Sequence, residues 1–169
     1  DGGATNLRFV VETNGTLNVG YKNSGGSFQF TTSPSAVDDN NWHNLVFTTT
    51  ASAQVLYIDG SAVTTTTNGF ENGASSTVVT TIAAHVKPNL YANMKADEVA
   101  TFAGTVLSAS DVTGIYNGGV PSDISSLNPT GWWRMGENDG GTGTTVTDQG
   151  SGGNNGTLVN GAEFSSDVP

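Results

Sequence analysis

The sequence predicts an all-β chain of antiparallel sheets with one short helix, and three observations carry that prediction. Short runs rich in Val, Ile, Thr and aromatic residues alternate side chains in the period of two that a strand imposes, most clearly around Asn41–Thr50 and Val55–Val63. Turn-forming pairs separate these runs, Asn14-Gly15 and Asp59-Gly60 among them, and such pairs accept the positive φ that a two-residue hairpin demands. One stretch alone, beginning at Ser108, has the start signal and apolar spacing of a helix.

Taken in order, residues 7–12 read as a strand, 13–15 as a hairpin turn and 16–21 as the partner strand. Residues 23–26 turn the chain into 27–31, where Phe28 and Phe30 share a face expected to be half-buried. Pro34 ends that run, and an acidic, turn-rich loop leads to Asn41. In the next strand His43, Leu45 and Phe47 fall on one side and Trp42, Asn44 and Val46 on the other. Neither side is plainly polar, so this strand is expected inside a sheet with something covering it. After the Asp59-Gly60 hairpin comes a long polar loop from Thr64 to Ser76. Strands are expected at 78–84, 90–94 and 96–102. Ser108 can cap a helix whose first turn holds Asp111 and whose apolar face carries Val112, Ile115 and Tyr116. Gly118-Gly119 and Pro121 stop it. Residues 132–135, 145–147, 157–159 and 162–164 supply further short strands between glycine-rich loops.

Bulk properties narrow the function classes. A formal net charge of −10 disfavours nucleic acid as a partner. Only 12% of residues are charged, so Thr, Ser, Asn and Gly must cover the surface. Cysteine is absent, which excludes disulfide staples and thiolate chemistry. No apolar run nears the roughly 20 residues that span a bilayer, so membrane insertion by a helix is not expected. The start at Asp1, without methionine, leads to the expectation of a fragment or processed product.

Three blocks resemble one family. Trp42-His43 followed by apolar residues, then Tyr57-Ile58-Asp59-Gly60, looks like the laminin-G-like branch of the concanavalin A-like lectin/glucanase superfamily. Residues 95–102 with the pair Asp97-Glu98, followed by the helix signal, resemble that family's closing strand and short helix. Trp132 to Leu158 resembles its opening. The resemblance implies an all-β jelly-roll sandwich of two antiparallel sheets with one short helix. The opening-like block stands last here, which implies permutation, a truncated following repeat, or exchange with a neighbouring subunit. The expected organisation is a main body over residues 1–130 and a glycine-rich segment, 131–169, that completes the sandwich or starts a neighbouring repeat. Laminin-G domains of secreted vertebrate proteins often carry a disulfide, so the lack of cysteine leans toward a microbial or viral source.

Glycosidases of this superfamily use carboxylates in a Glu-x-Asp-x-x-Glu pattern, and retention needs two of them about 5 Å apart. The nearest match, Glu137-Asn138-Asp139-Gly140-Gly141-Thr142, has threonine at the acid/base position and lies in a glycine loop. An enzyme is therefore not expected. His43 reads as a packing residue and His85 has no sequence-near partner, and two histidines without cysteine rarely close a zinc site.

The resemblance also implies calcium, a hard cation that takes oxygen ligands. The candidate ligands are Asp97 and Glu98 with Asp148 and Asn154. Candidate sugar-stacking aromatics are Trp42, Tyr57, Tyr91, Trp132 and Trp133. Neighbours on a strand point to opposite faces, so one of the two tryptophans is expected in the core. The expected function is a non-catalytic structural and adhesion module of an extracellular or virion-surface assembly, of the tail-fibre or capsid-appendage type. Its composition resembles that of marine phage structural proteins. Expected partners are other structural subunits, in a homo-oligomer or array, and surface glycans. A carbohydrate-binding module of a secreted enzyme is the alternative, with a glycoside hydrolase behind it.

Overall fold

A computed structural model describes residues 7–22, 28–50, 52–66, 81–82 and 93–169. The regular elements among the described residues are mostly strands in antiparallel sheets, with one short α-helix. The chain divides into two compact units, one of Asp1–Val79 with Val106–Ser122 and one of Thr80–Thr105 with Asp123–Pro169.

The first unit holds two three-stranded antiparallel sheets. Strands β1 (Leu7–Val11), β2 (Thr16–Lys22) and β3 (Phe28–Ala36) form one, in that order. Strands β4 (Leu45–Thr49), β5 (Gln54–Ile58) and β6 (Ser61–Thr66) form the other. Both hairpins foreseen from Asn14-Gly15 and Asp59-Gly60 are present. Asp59 and Gly60 take φ values of 50° and 74° and join Ile58 to its partner Ser61. Alternation along β2 buries Leu17, Val19 and Tyr21, and Leu17 and Val19 join Leu56 of β5 in a core shared by the two sheets. Leu45, Phe47, Val63 and Val37 pack around that core, and the Phe47 ring meets Phe9 edge-on at 6.4 Å.

Strand β3 departs from expectation twice. Its buried face carries Thr31 and Ser33, while Phe30 is exposed. Cross-strand partners share a face; Val19 pairs with Thr31 and Gly20 with Phe30, so the inward side of β2 dictates the inward side of β3. The strand also runs through Pro34 to Ala36. The register shifts between Thr16 and Asn18, and an irregularity of this kind tolerates a residue that cannot donate to the ladder. The Ser33 hydroxyl takes over there, accepting from the Leu17 amide at 2.9 Å and donating to the Ser35 carbonyl at 2.6 Å.

Helix α1 (Ala109–Tyr116) begins as the sequence indicates, with a reciprocal capping box between Ser108 and Asp111. Val112 is fully buried. The helix ends one residue earlier than the glycine pair suggests, because Asn117 adopts the left-handed conformation itself at φ 45°. Its last turn closes on the β5–β6 hairpin. A Cβ on Gly60 would lie 2.9 Å from the Tyr116 ring, so glycine is required there for space as well as for φ.

The second unit is built from shorter pieces. Strand β7 (Val99–Thr101) pairs antiparallel with β8 (Gly131–Trp133), and β9 (Thr145–Val146) with β10 (Gly156–Thr157). Among the described residues, Trp132, Val146 and Ile124 are its buried apolar side chains. Residues 162–164, expected as an edge strand, are irregular. Of the expected strands 78–84 and 90–94, only 81–82 and 93–94 lie within the described residues, and these are not in strands.

Candidate functional site

The β7–β8 register creates the main cluster of ionisable groups in the second unit. Val99 pairs with Trp133, so the residues just before β7 meet those just after β8. This brings Asp97 and Glu98 beside Arg134 and Glu137, the Glu98–Arg134 bond spanning 36 positions of sequence. Carboxylate oxygens of Asp97, Glu98 and Glu137 lie within 4.8 Å of one another.

Each carboxylate in the cluster has a different status. Glu98 sits at φ 49°, an uncommon conformation for a side chain of its size. Its oxygens accept from the Trp132 indole Nε1 at 2.6 Å and from Arg134 Nε at 2.8 Å. The Arg134 guanidinium also stacks over the Trp132 ring, 4.9 Å from its centroid. Asp97 Oδ1 accepts from the Glu98 amide at 3.0 Å, whereas its Oδ2 is buried without a hydrogen-bond partner. Burial, and then the Glu137 charge, push the Asp97 carboxyl above its usual range, and Arg134 only partly offsets them. Three carboxylates thus face one guanidinium, with an unpartnered buried oxygen among them. An oxygen-rich, anionic set with an unsatisfied acceptor is what a hard cation such as calcium requires, so Asp97, Glu98 and Glu137 fit the metal that the sequence led us to expect. Arg134 and Glu137 were not in the expected ligand set; reading 97–102 and 131–134 as an antiparallel pair would have brought them in.

Asp148 and Asn154 have another place. Asp148 is buried, and its Oδ1 accepts from the amides of Trp132 and Gly150, each at 2.8 Å, while Oδ2 accepts from that of Asn154 at 2.7 Å. Burial opposes its charge, but the three amides outweigh it and hold the carboxyl below the usual range. The Asp148 amide donates in turn to Asn155 Oδ1 at 3.0 Å, and the Asn154 carbonyl accepts from Trp133 Nε1 at 2.9 Å. These bonds close the glycine-rich loop upon β8. Asp148 is not part of the Asp97 cluster. Asp139, the second acid of the glycosidase-like run, is similarly occupied, accepting from the amides of Gly141 and Thr147.

The expected aromatics separate by burial. Trp132 is 4% exposed and Tyr57 7%, leaving neither ring free to stack on a sugar. Trp133 is half-buried against the Asn154 loop. Trp42 is exposed, on the irregular segment before β4. Tyr91 lies outside the described residues, as does His85. A cavity of about 360 Å³ in the second unit is lined by Met135, Glu137, Gly141, Phe164 and Val168 among others.

His43 is not a strand residue facing the core beside Leu45 and Phe47, because β4 begins only at Leu45. The Asp59 carboxylate ends the ladder there, accepting from the Asn44 amide at 2.9 Å through Oδ1. Its Oδ2 lies 2.8 Å from His43 Nδ1, and Asp39 Oδ1 lies 3.1 Å from His43 Nε2. The imidazole is therefore held by two carboxylates instead of the apolar packing expected of it.

A laminin-G family profile described as the Concanavalin A-like lectin/glucanases superfamily matches residues 1–113. The match includes the Trp42-His43 and Asp97-Glu98 blocks and ends before the block from Trp132 to Leu158. No curated protein matches the chain. Among solved structures, the S-layer domain-containing protein (residues 221-444) from Clostridium thermocellum ATCC 27405 is similar at 18% identity and a TM-score of 0.42. That similarity covers 69% of this chain and 64% of the other, so the chain spans less than two thirds of that structure's length.

Proposed function

Because the chain belongs to the concanavalin A-like lectin/glucanases superfamily, we propose that it is a non-catalytic structural and adhesion module acting outside the cell or on a virion surface, in the manner of a tail-fibre or capsid-appendage domain. The superfamily contains both lectins and glycosidases, so the decision rests on the carboxylates. The observation that carries the reading is the occupation of Asp139 by two backbone amides, with Thr142 where catalytic relatives place an acid/base glutamate. A helper carboxylate spent on amides, in a run that also lacks the acid/base glutamate, is a poor basis for the two-carboxylate chemistry of glycoside hydrolysis.

In this reading Asp97, Glu98 and Glu137 hold a calcium ion that ties the start of β7 to the loop after β8. A bound cation would supply charge compensation for a cluster that carries more negative than positive groups. Ordering those segments is the contribution of this chain's own residues: Glu98 fixes Trp132 and Arg134, while Asp97 keeps one oxygen free. Other structural subunits, in a homo-oligomer or array, are the proposed partners.

A second reading, a carbohydrate-binding module of a secreted enzyme, is favoured by one observation, the exposed ring of Trp42. A glycan array probed in calcium and in chelator, with reducing-end release measured on any polysaccharide bound, separates the readings. No glycan retention and no hydrolysis supports the structural module. Retention lost on Trp42→Ala supports the binding module, and release of reducing ends overturns both.

A further inference from the structure

We infer that His43 is a pH-operated latch joining the Asp39–Asn44 segment to the β5–β6 turn, closed as the imidazolium and opened by loss of its proton, so that the setting of Trp42 depends on pH. The geometry alone demands a charged ring. Both ring nitrogens lie within hydrogen-bond distance of carboxylate oxygens, Nδ1 at 2.8 Å from Asp59 and Nε2 at 3.1 Å from Asp39. A carboxylate can only accept, and a neutral imidazole has one N–H to donate. Deprotonation therefore sets a ring lone pair against one of the two carboxylates.

The two partners are not equivalent. Asp59 is fixed independently of the histidine, with its Oδ1 accepting from the Asn44 amide and its own amide donating to the Asn44 carbonyl, each at 2.9 Å. Asp39 is more exposed, makes the longer contact with the ring, and already accepts from the Asn41 amide at 2.9 Å. The remaining proton stays on Nδ1, and the contact to Asp39 is the one released. Between Asp39 and His43 the chain carries Trp42, which is exposed and outside any strand. Among the described residues, Asp39 and Asp59 are the charged groups that face the ring; Asp38 is turned to the β1–β2 hairpin, where its carboxylate occupies the space a Cβ on Gly15 would need. Desolvation disfavours the charged ring, but the two carboxylates together outweigh it and raise the proton affinity of His43. The latch consequently opens on the alkaline side of an ordinary histidine, within the range where histidine switches operate.

The test follows the full chain by NMR from pH 5 to 9, with the histidine Cε1–H signals and the resonances of 5-fluorotryptophan as probes. His43→Gln and Trp42→Phe assign the two signals. The expected result is a His43 midpoint above the ordinary value of about 6.5, with the Trp42 resonance shifting at the same midpoint and losing that shift in His43→Gln. Asp39→Asn, which keeps the Asp59 contact, is expected to lower the midpoint, and it provides the readout if His43→Gln does not fold. A His43 midpoint at or below 6.5, or a Trp42 signal indifferent to the titration, overturns the latch.

Discussion

At the scale of the residue, three side chains have consequences that can be measured. His43→Ala is expected to cost roughly 1–3 kcal/mol, because it removes charge-assisted bonds from a half-buried site and leaves Asp59 with one partner fewer; thermal or denaturant unfolding near pH 6 checks it. The sign of its pH dependence follows from linkage. A histidine whose proton affinity rises on folding stabilises fully below the unfolded value of about 6.5, and that contribution is lost as pH climbs through the folded value. Asp148 has the opposite sense. Its carboxyl is lowered on folding, so its contribution is present above the unfolded value of about 3.9 and disappears as pH falls through the folded one. Asp148→Asn should accordingly flatten the acid limb of the stability profile. Asp97 makes a sharper test of the cation, since its charge is unfavourable without one. In chelator Asp97→Asn should melt higher than the parent protein; in calcium it should lose the rise in melting temperature that a ligand bound only by the native state confers. Identical parent melting curves in calcium and chelator, with no metal found by elemental analysis, would remove the site.

At the scale of the element, the hairpins and the helix cap are local devices, and β2 is where local and long-range demands meet. Gly20 lies beneath the Phe30 ring in the middle of β2, and a Cβ there would sit 1.9 Å from the Gln29 carbonyl oxygen. That neighbour is backbone and cannot swing aside. Gly20→Ala should therefore destabilise by about 1–3 kcal/mol, the usual range for an overpacked site, despite the better intrinsic strand preference of alanine. Ser108→Ala tests the opposite case, an exposed cap whose loss should cost about 1 kcal/mol. Chemical unfolding curves with unchanged slope would measure both.

At the scale of the whole molecule, the segment beyond residue 130 supplies β8 and the Asp148 hub. Removing 131–169 takes away the partner of β7, together with Trp132 and the Glu137 carboxylate of the Asp97 cluster. An unpaired strand edge is a template for other chains, so the truncated protein is expected to aggregate or lose cooperative unfolding in calorimetry. A soluble, cooperatively folded monomer of residues 1–130 would mark the tail as a separate appendage. For the intact chain, light scattering coupled to size exclusion tests the expected assembly into an oligomer or array.

The features that the sequence determined by itself are those whose causes are local. Asp59-Gly60 turns because both residues accept positive φ, Ser108 and Asp111 cap α1 by reaching three residues along the chain, and Leu17, Val19 and Tyr21 share a face because a strand repeats every two residues. Tertiary structure decided whatever depends on register. Phe30 faces outward because Val19 pairs with Thr31. His43 leaves the strand because Asp59, sixteen positions on, takes the Asn44 amide and the imidazole. The Asp97 pair gains Glu137 and Arg134 only through the β7–β8 ladder, while Asp148, equally acidic on paper, goes to backbone amides. Carboxylates look alike in a sequence; a carboxylate cluster and a loop anchor differ only in whether the fold brings them other charges or N–H groups.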